Sequence, residues 1–191
     1  MITEEDLLYN AIGRFAVDFE KVTDEMRSCI MDSLESNGLG NREMGEVIVA
    51  DLSADPLRRL LGAIFYIQWP KDTEAQRKVS GLLKRIQVLT SVRNRILHGR
   101  WDIGDPFWTD DISVAEGLKL RSSEKQGLVR EWMDYKAEDF DDHTSEAERL
   151  VELIRTLRFS AFRKGVKSDK VEWIVPFDPK ATSFEVKNGP A

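Results

Sequence analysis

The stretch from Ser91 to Trp101 brings together residue types that can do chemistry on an anion. It holds His98, one of the two histidines of the chain, with Asn94 and Arg93 four and five positions before it. An imidazole, with an ordinary pKa of about 6.5, accepts or donates a proton near neutral pH. A guanidinium keeps its charge and grips phosphate with a planar fork. The stretch therefore predicts either an acid–base site for a phosphate ester or the polar seam of a dimer.

A long helix is predicted to position these residues, from Thr73 as its cap to His98, with Gly99 just past its end. At about 100° per residue, Asn94 and His98 share one edge of an apolar row, and Arg95 lies on the other flank of His98, toward solvent. The row itself predicts the buried side of the helix and consists of Val79, Leu82, Ile86, Leu89, Ile96 and Leu97.

Arg93 is the unusual residue, because it falls inside that apolar row. A charge in this position is costly unless it is paired or hydrogen-bonded. One interpretation is an internal salt bridge, for example to Asp18 or Glu25 of the first helix. The other is a guanidinium at a dimer seam that reaches an anion beside His98. A carboxylate of the same subunit that held Arg93 away from His98 would exclude the catalytic interpretation.

The charge distribution separates this helix from the rest of the chain. The formal net charge of −6 argues, as a total, against a nucleic-acid-binding protein. From Ala75 to Trp101, however, there are seven basic residues and no acidic ones, which leaves 21 basic and 34 acidic residues elsewhere. This basic segment is expected to face either acidic neighbours or an anion.

Composition bounds the class of protein. A length of 191 residues suits one domain with a trailing segment, and 41% hydrophobic with 32% charged residues is typical of soluble globular proteins. The acidic N-terminus differs from a signal peptide, and no apolar run is long enough to span a membrane. The single cysteine, Cys29, excludes an internal disulfide, favours a cytoplasmic location and is expected to pack in the core. One cysteine and two histidines are too few for a structural zinc site, so no metal and no cofactor are predicted.

Two helical regions precede the long helix. The first helix is predicted from Thr3, its cap, to about Glu35, with apolar residues at 4-3-4-3 spacing that require a partner helix in the same domain or in a second subunit. After a break at 37–41, residues 42–52 are expected to form a short helix or an irregular segment. Asp55 is predicted to cap a helix that ends near Gln68.

After Gly99 the composition changes. Segments 118–121 and 128–135 are predicted to pair as a β-hairpin, and residues 138–162 return to helical periodicity. His143 is expected on the solvated surface of that last helix. The sequence thus predicts a mainly α fold: a helical domain over 1–164, with a loop and short hairpin inserted at about 100–136, and an extended C-terminal tail over 165–191.

The segment Arg93-Asn94-Arg95-Ile96-Leu97-His98 resembles the R-N-x-x-x-H signature of the HEPN superfamily (higher eukaryotes and prokaryotes nucleotide-binding). The start of the first helix, Ile12-Gly13-Arg14-Phe15, also resembles uncharacterised bacterial proteins of this type. The resemblance implies an all-helical bundle with the motif late in a long helix, and a homodimer that brings two motif copies together. Active members are metal-independent endoribonucleases of toxin or phage-defence systems. The insertion and the tail depart from a minimal bundle of this family.

On this resemblance, Arg93, Asn94 and His98 are the predicted catalytic residues. His98 would act as acid or base, Arg93 would stabilise the charge on phosphorus, and Asn94 would orient His98 or the phosphate. RNA is the expected substrate and a cognate antitoxin protein is a further expected partner. The predicted RNA-binding residues are Lys84, Arg85, Arg95, Arg100 and Trp101, with Trp101 and Trp108 serving either as stacking platforms or as core anchors.

Two other interpretations remain open. Some members of the superfamily are inactive, so the chain is alternatively a dimerisation module that binds nucleotide, RNA or a protein. In that case Arg93 is a structural ion pair. A regulator whose basic helix binds duplex DNA is a third interpretation, which the absence of helix-turn-helix spacing disfavours.

Overall fold

A computed structural model describes residues 3–103, 114–123 and 127–162, so the predicted tail and Trp108 lie outside the described residues. The described part is mainly helical with one small antiparallel sheet, as predicted. Its elements are α1 (Glu4–Ser36), α2 (Arg42–Ala50), α3 (Ala54–Gln68), α4 (Thr73–His98), β1 (Arg100–Ile103), β2 (Val114–Ser123), β3 (Gly127–Lys136) and α5 (Ala137–Phe162). Among these elements, no helix combines the length and the apolar character needed to cross a membrane.

Helix α1 is the central element of the core. Its apolar stripe, which includes Phe15, Phe19 and Met26, is fully buried, and α5 and α3 of the same chain pack against it. The stripe therefore finds its partner helices within the domain and does not need a second subunit for burial. Cys29 lies on this stripe with no exposed surface, and burial raises the pKa of its thiol, which confirms the predicted packing role.

The N-cap residues mark where the helices begin, and the side chains of those at α1 and α4 each accept a hydrogen bond from the backbone. Thr3 and Asp6 form a capping box at α1, as expected from the Thr-x-x-Asp spacing. Two predicted caps are displaced by one or two residues. Asp72, rather than Thr73, caps α4 by accepting a hydrogen bond from the backbone N–H of Ala75. Ser53, rather than Asp55, is the N-cap of α3, which places Asp55 in the first turn.

The insertion after α4 is a three-stranded sheet in the order β1-β2-β3. The predicted hairpin is confirmed and is longer than the sequence pattern indicated, with Leu118 opposite Trp132. Strand β1 was not predicted and pairs Trp101 with Gly117. A Cβ atom at Gly117 would lie 2.7 Å from the indole ring of Trp101, so the ring occupies the space that only glycine leaves open. The sheet thus packs one face against the helices.

Candidate functional site

The motif residues lie on the last turns of α4, which ends at His98 as predicted. Gly99 has extended backbone geometry (φ −83°), so it does not end the helix through a left-handed conformation. A Cβ atom there would lie 2.8 Å from the carbonyl oxygen of Arg95. Close approach of the backbone, rather than an unusual φ, is therefore the reason that glycine suits this position.

Arg93, Asn94 and His98 all line one cavity of about 430 Å³. Its walls are the middle of α1, the end of α4 and the connection between α2 and α3. That volume lies within the range of small-molecule sites. The polar residues that α1 and the connection add to the wall are Glu20, Thr23, Arg27, Asp51, Ser53 and Asp55.

Arg93 forms an internal salt bridge to α1, one of the two interpretations of its place in the apolar row, but its partner is neither Asp18 nor Glu25. Its Nη2 donates to Oε1 of Glu20 at 3.0 Å, and its Nη1 donates to Oδ1 of Asn94 at 3.2 Å. The guanidinium lies 5.6 Å from the ring centroid of Phe19, a cation–π contact. The side chain is 26% exposed, so it is held at the surface of the core.

This pairing occurs on the cavity that His98 also lines. Glu20 belongs to the same chain as Arg93, which is the first part of the condition that would exclude catalysis. It does not hold Arg93 away from the cavity that His98 lines, so the second part of that condition is not met. Asp18 instead pairs with Lys21, and Glu25 pairs with two arginines of α5. These two acids are engaged elsewhere.

Asn94 and His98 differ in their surroundings. The amide oxygen of Asn94 accepts from Arg93, while its backbone carbonyl oxygen accepts from Nζ of Lys119 at 3.0 Å, which ties β2 to the end of α4. His98 is exposed and is one of the residues that line the cavity. The arrangement presents an accessible imidazole for proton transfer, and a guanidinium that a bound anion would share with Glu20.

The predicted RNA-binding residues differ in how far they are exposed to solvent. Lys84 and Arg100 are exposed and Arg95 is half-buried. Arg85 was wrongly assigned to this surface: it is buried, and its Nε and Nη2 each donate to Glu146 at 2.7 Å. Because the Arg85 guanidinium is buried and paired with Glu146, it is not available to bind RNA.

Trp101 is a core anchor rather than a stacking platform. Its indole N–H donates to the carbonyl oxygen of Ile96 at 2.6 Å, and its ring packs beside Tyr135 and Phe140. The hydrogen bond holds β1 against the end of α4, and the ring contacts join it to β3 and α5. The prediction that Trp101 stacks on bases is therefore corrected.

His143 was also misplaced by the sequence. It is 5% exposed and lies between the rings of Phe15 and Tyr135. Burial is the main reason that its pKa lies below the ordinary value for histidine, and nearby carboxylates, led by Asp139, oppose that shift. The periodicity of α5 does place position 143 three residues after buried Phe140, which was the signal for burial.

Sequence reasoning missed Glu20 and Arg27 on the cavity wall. Arg27 donates to Asp24 at 2.7 Å and to the backbone carbonyl of Leu52 at 3.2 Å, so it joins α1 to the α2–α3 connection. Neither residue carries a local signal, because α1 contains many charged residues. The packing of α4 selects Glu20, and the packing of the α2–α3 connection selects Arg27.

Comparison with known proteins adds no assignment: no family model matches the chain, and no curated protein or solved structure is significantly similar to it. Within the part of the chain that the structure describes, no three His, Cys, Asp or Glu side chains are grouped so as to hold a metal ion.

Proposed function

We propose that this chain is a HEPN-like protein that cleaves RNA without a metal ion, at the cavity lined by Arg93, Asn94 and His98. The observation that supports it is the meeting of these three residue types on one open cavity, with the imidazole exposed. A resting ion pair between Arg93 and Glu20 keeps the guanidinium at the cavity wall before an anion binds.

The chemistry follows from the substrate. RNA carries its own nucleophile, the 2′-hydroxyl, so the protein needs to move protons and to stabilise charge on phosphorus. His98 takes part in proton transfer, and Arg93 stabilises the additional negative charge of the transition state. Asn94 holds Arg93 in place through its amide oxygen. Exposed Lys84 and Arg100, with Arg95, guide the RNA backbone toward the cavity.

The biological setting is part of the same proposal. A ribonuclease of this type acts as a toxin or in defence against phage, works in the cytoplasm, forms a homodimer and is restrained by a cognate antitoxin protein. The lone buried Cys29, which has no partner for a disulfide within the chain, is compatible with a reducing compartment.

A second candidate function has one specific observation in its favour. The guanidinium of Arg93 is already paired with Glu20 and Asn94, as in a structural ion pair. On this account the protein is a non-catalytic dimeric module that binds nucleotide or RNA at the same cavity.

An incubation with single-stranded RNA in EDTA tests the proposal. The parent protein and a Gln87→Ala variant, altered at an exposed position of the same helix, are expected to cleave. The His98→Ala and Arg93→Ala variants are expected to lose cleavage. Binding without cleavage by the parent supports the module, and equal cleavage by parent and His98→Ala refutes the assignment of this site.

A further inference from the structure

Glu20 is a carboxylate on the cavity wall that the proposed function leaves without a chemical role. Its side chain is 51% exposed, although one oxygen accepts from Arg93. The other oxygen lies 3.0 Å from the hydroxyl of Thr23, whose single proton is closer to the backbone carbonyl oxygen of Glu20, at 2.7 Å. Glu20 is therefore oriented by Arg93, keeps free lone pairs and is open to the cavity.

The proposed reaction needs two proton-transfer groups. A proton leaves the 2′-hydroxyl while another reaches the departing 5′-oxygen on the far side of phosphorus. One imidazole does not serve both oxygens in the same step. A second histidine from a partner subunit would supply the missing group, but the cavity of a single chain already contains carboxylates.

Geometry selects Glu20 among those carboxylates. Asp55 is engaged by two arginines, Arg58 and Arg59, which hold its pKa below the usual value and weaken it as a proton acceptor, whereas Glu20 has one arginine partner. Asp51 lies at the C-terminal cap of α2. Glu20 is hydrogen-bonded to Arg93, the group that would hold the phosphate, and it lines the same cavity as His98.

We propose that Glu20 is the catalytic base and His98 the catalytic acid of one chain, an inference that rests on the proposed function. The carboxylate of Glu20 takes the proton of the 2′-hydroxyl, and the 2′-oxygen forms a bond to phosphorus. The bond between phosphorus and the 5′-oxygen breaks, and that oxygen takes the proton of the His98 imidazolium. The products are a 2′,3′-cyclic phosphate and a 5′-hydroxyl, and water restores both groups to their starting protonation.

A Glu20→Gln variant tests whether Glu20 acts as a base or only holds Arg93 in place. Glutamine keeps an oxygen that accepts from Arg93, but an amide does not act as a proton acceptor. We expect cleavage to slow by at least about 100-fold, and binding of a 2′-O-methyl oligonucleotide to be no weaker than in the parent. Glu148→Gln, at an exposed position of α5, is the matched control and retains the parental rate. Circular dichroism verifies that all variants fold.

The outcomes distinguish this inference from the function on which it rests. If the parent protein does not cleave RNA, both the proposed function and the role of Glu20 are refuted. A parent that cleaves, beside a Glu20→Gln variant with the parental rate, overturns only the role of Glu20. Mixing Glu20→Gln with His98→Ala chains is expected to restore no cleavage, because both groups act in one chain. Recovery of activity in the mixture would place the base and the acid on different subunits and overturn the inference.

Discussion

The Arg85–Glu146 pair joins α4 to α5 inside the core, and its removal gives the most direct test of the fold. The two side chains are 7% and 11% exposed and share two hydrogen bonds of 2.7 Å. Removing one partner leaves the other charge buried and unpaired, which costs about 3–5 kcal/mol. For a chain of this length, the melting temperature is then expected to fall by about 6–20 °C.

Urea unfolding followed by circular dichroism measures this effect in Arg85→Met, Glu146→Leu and the double variant. Each single variant is expected to lose the full amount. The double variant is expected to lie closer to the parent than either single one, because no unpaired charge remains in the core. Single variants within about 0.5 kcal/mol of the parent, or losses that simply add in the double variant, would show that the pair is not buried as described.

Lys84, the adjacent basic residue, is the matched control. It is exposed, so Lys84→Met is expected to change stability by less than about 0.5 kcal/mol. If RNA binds along α4, the same variant weakens binding and lowers the salt dependence by about one phosphate contact. Arg85→Met is expected to leave the RNA affinity of the folded protein unchanged. Weaker binding by Arg85→Met without loss of stability would refute its assignment to the core.

Three further predictions concern the core. The unfolded chain protonates His143 near the ordinary histidine pKa of about 6.5, whereas the folded chain resists protonation because burial lowers that pKa. The free energy of unfolding is therefore expected to fall as the pH drops below about 6.5, by up to about 1.4 kcal/mol per pH unit. Urea unfolding at pH 8 and pH 5 should show a smaller difference in a His143→Phe variant than in the parent. Gly117→Ala crowds Trp101 and is expected to cost about 1–3 kcal/mol by fluorescence-monitored unfolding, whereas Gly13→Ala, with open space around it, stabilises α1. Cys29 is expected to react with a thiol reagent only after unfolding, and rapid labelling of the native protein would contradict its burial.

The helices were predictable because their signals are local. The 4-3-4-3 stripe of α1 and its capping box at Thr3 and Asp6 each depend on residues within a few positions of one another. Errors of one or two residues, as at Asp72 and Ser53, arise because neighbouring polar residues compete for the same cap. The short strand β1 was missed, because four residues carry too little alternation to be recognised.

The candidate site was only partly predictable for the same physical reason. Helical spacing placed Asn94 and His98 on one edge of α4 and put Arg93 in the apolar row, which indicated that it needed a partner. The spacing of residues along α4 does not show which residue of a distant helix will pack opposite Arg93. The bond from Arg93 to Glu20 spans 73 positions of the chain and exists only once α1 and α4 have packed.

Tertiary packing also reversed the expected roles of several polar and aromatic residues. Arg85 and His143 carry polar side chains and were expected outside, yet the first is paired with Glu146 and the second lies among aromatic rings. Trp101 turned inward because Gly117 leaves room for its ring. Local sequence determines which backbone a segment adopts and which face it buries. The partner that meets each face is decided by long-range contacts, and the cavity that joins Glu20 to His98 is one of their products.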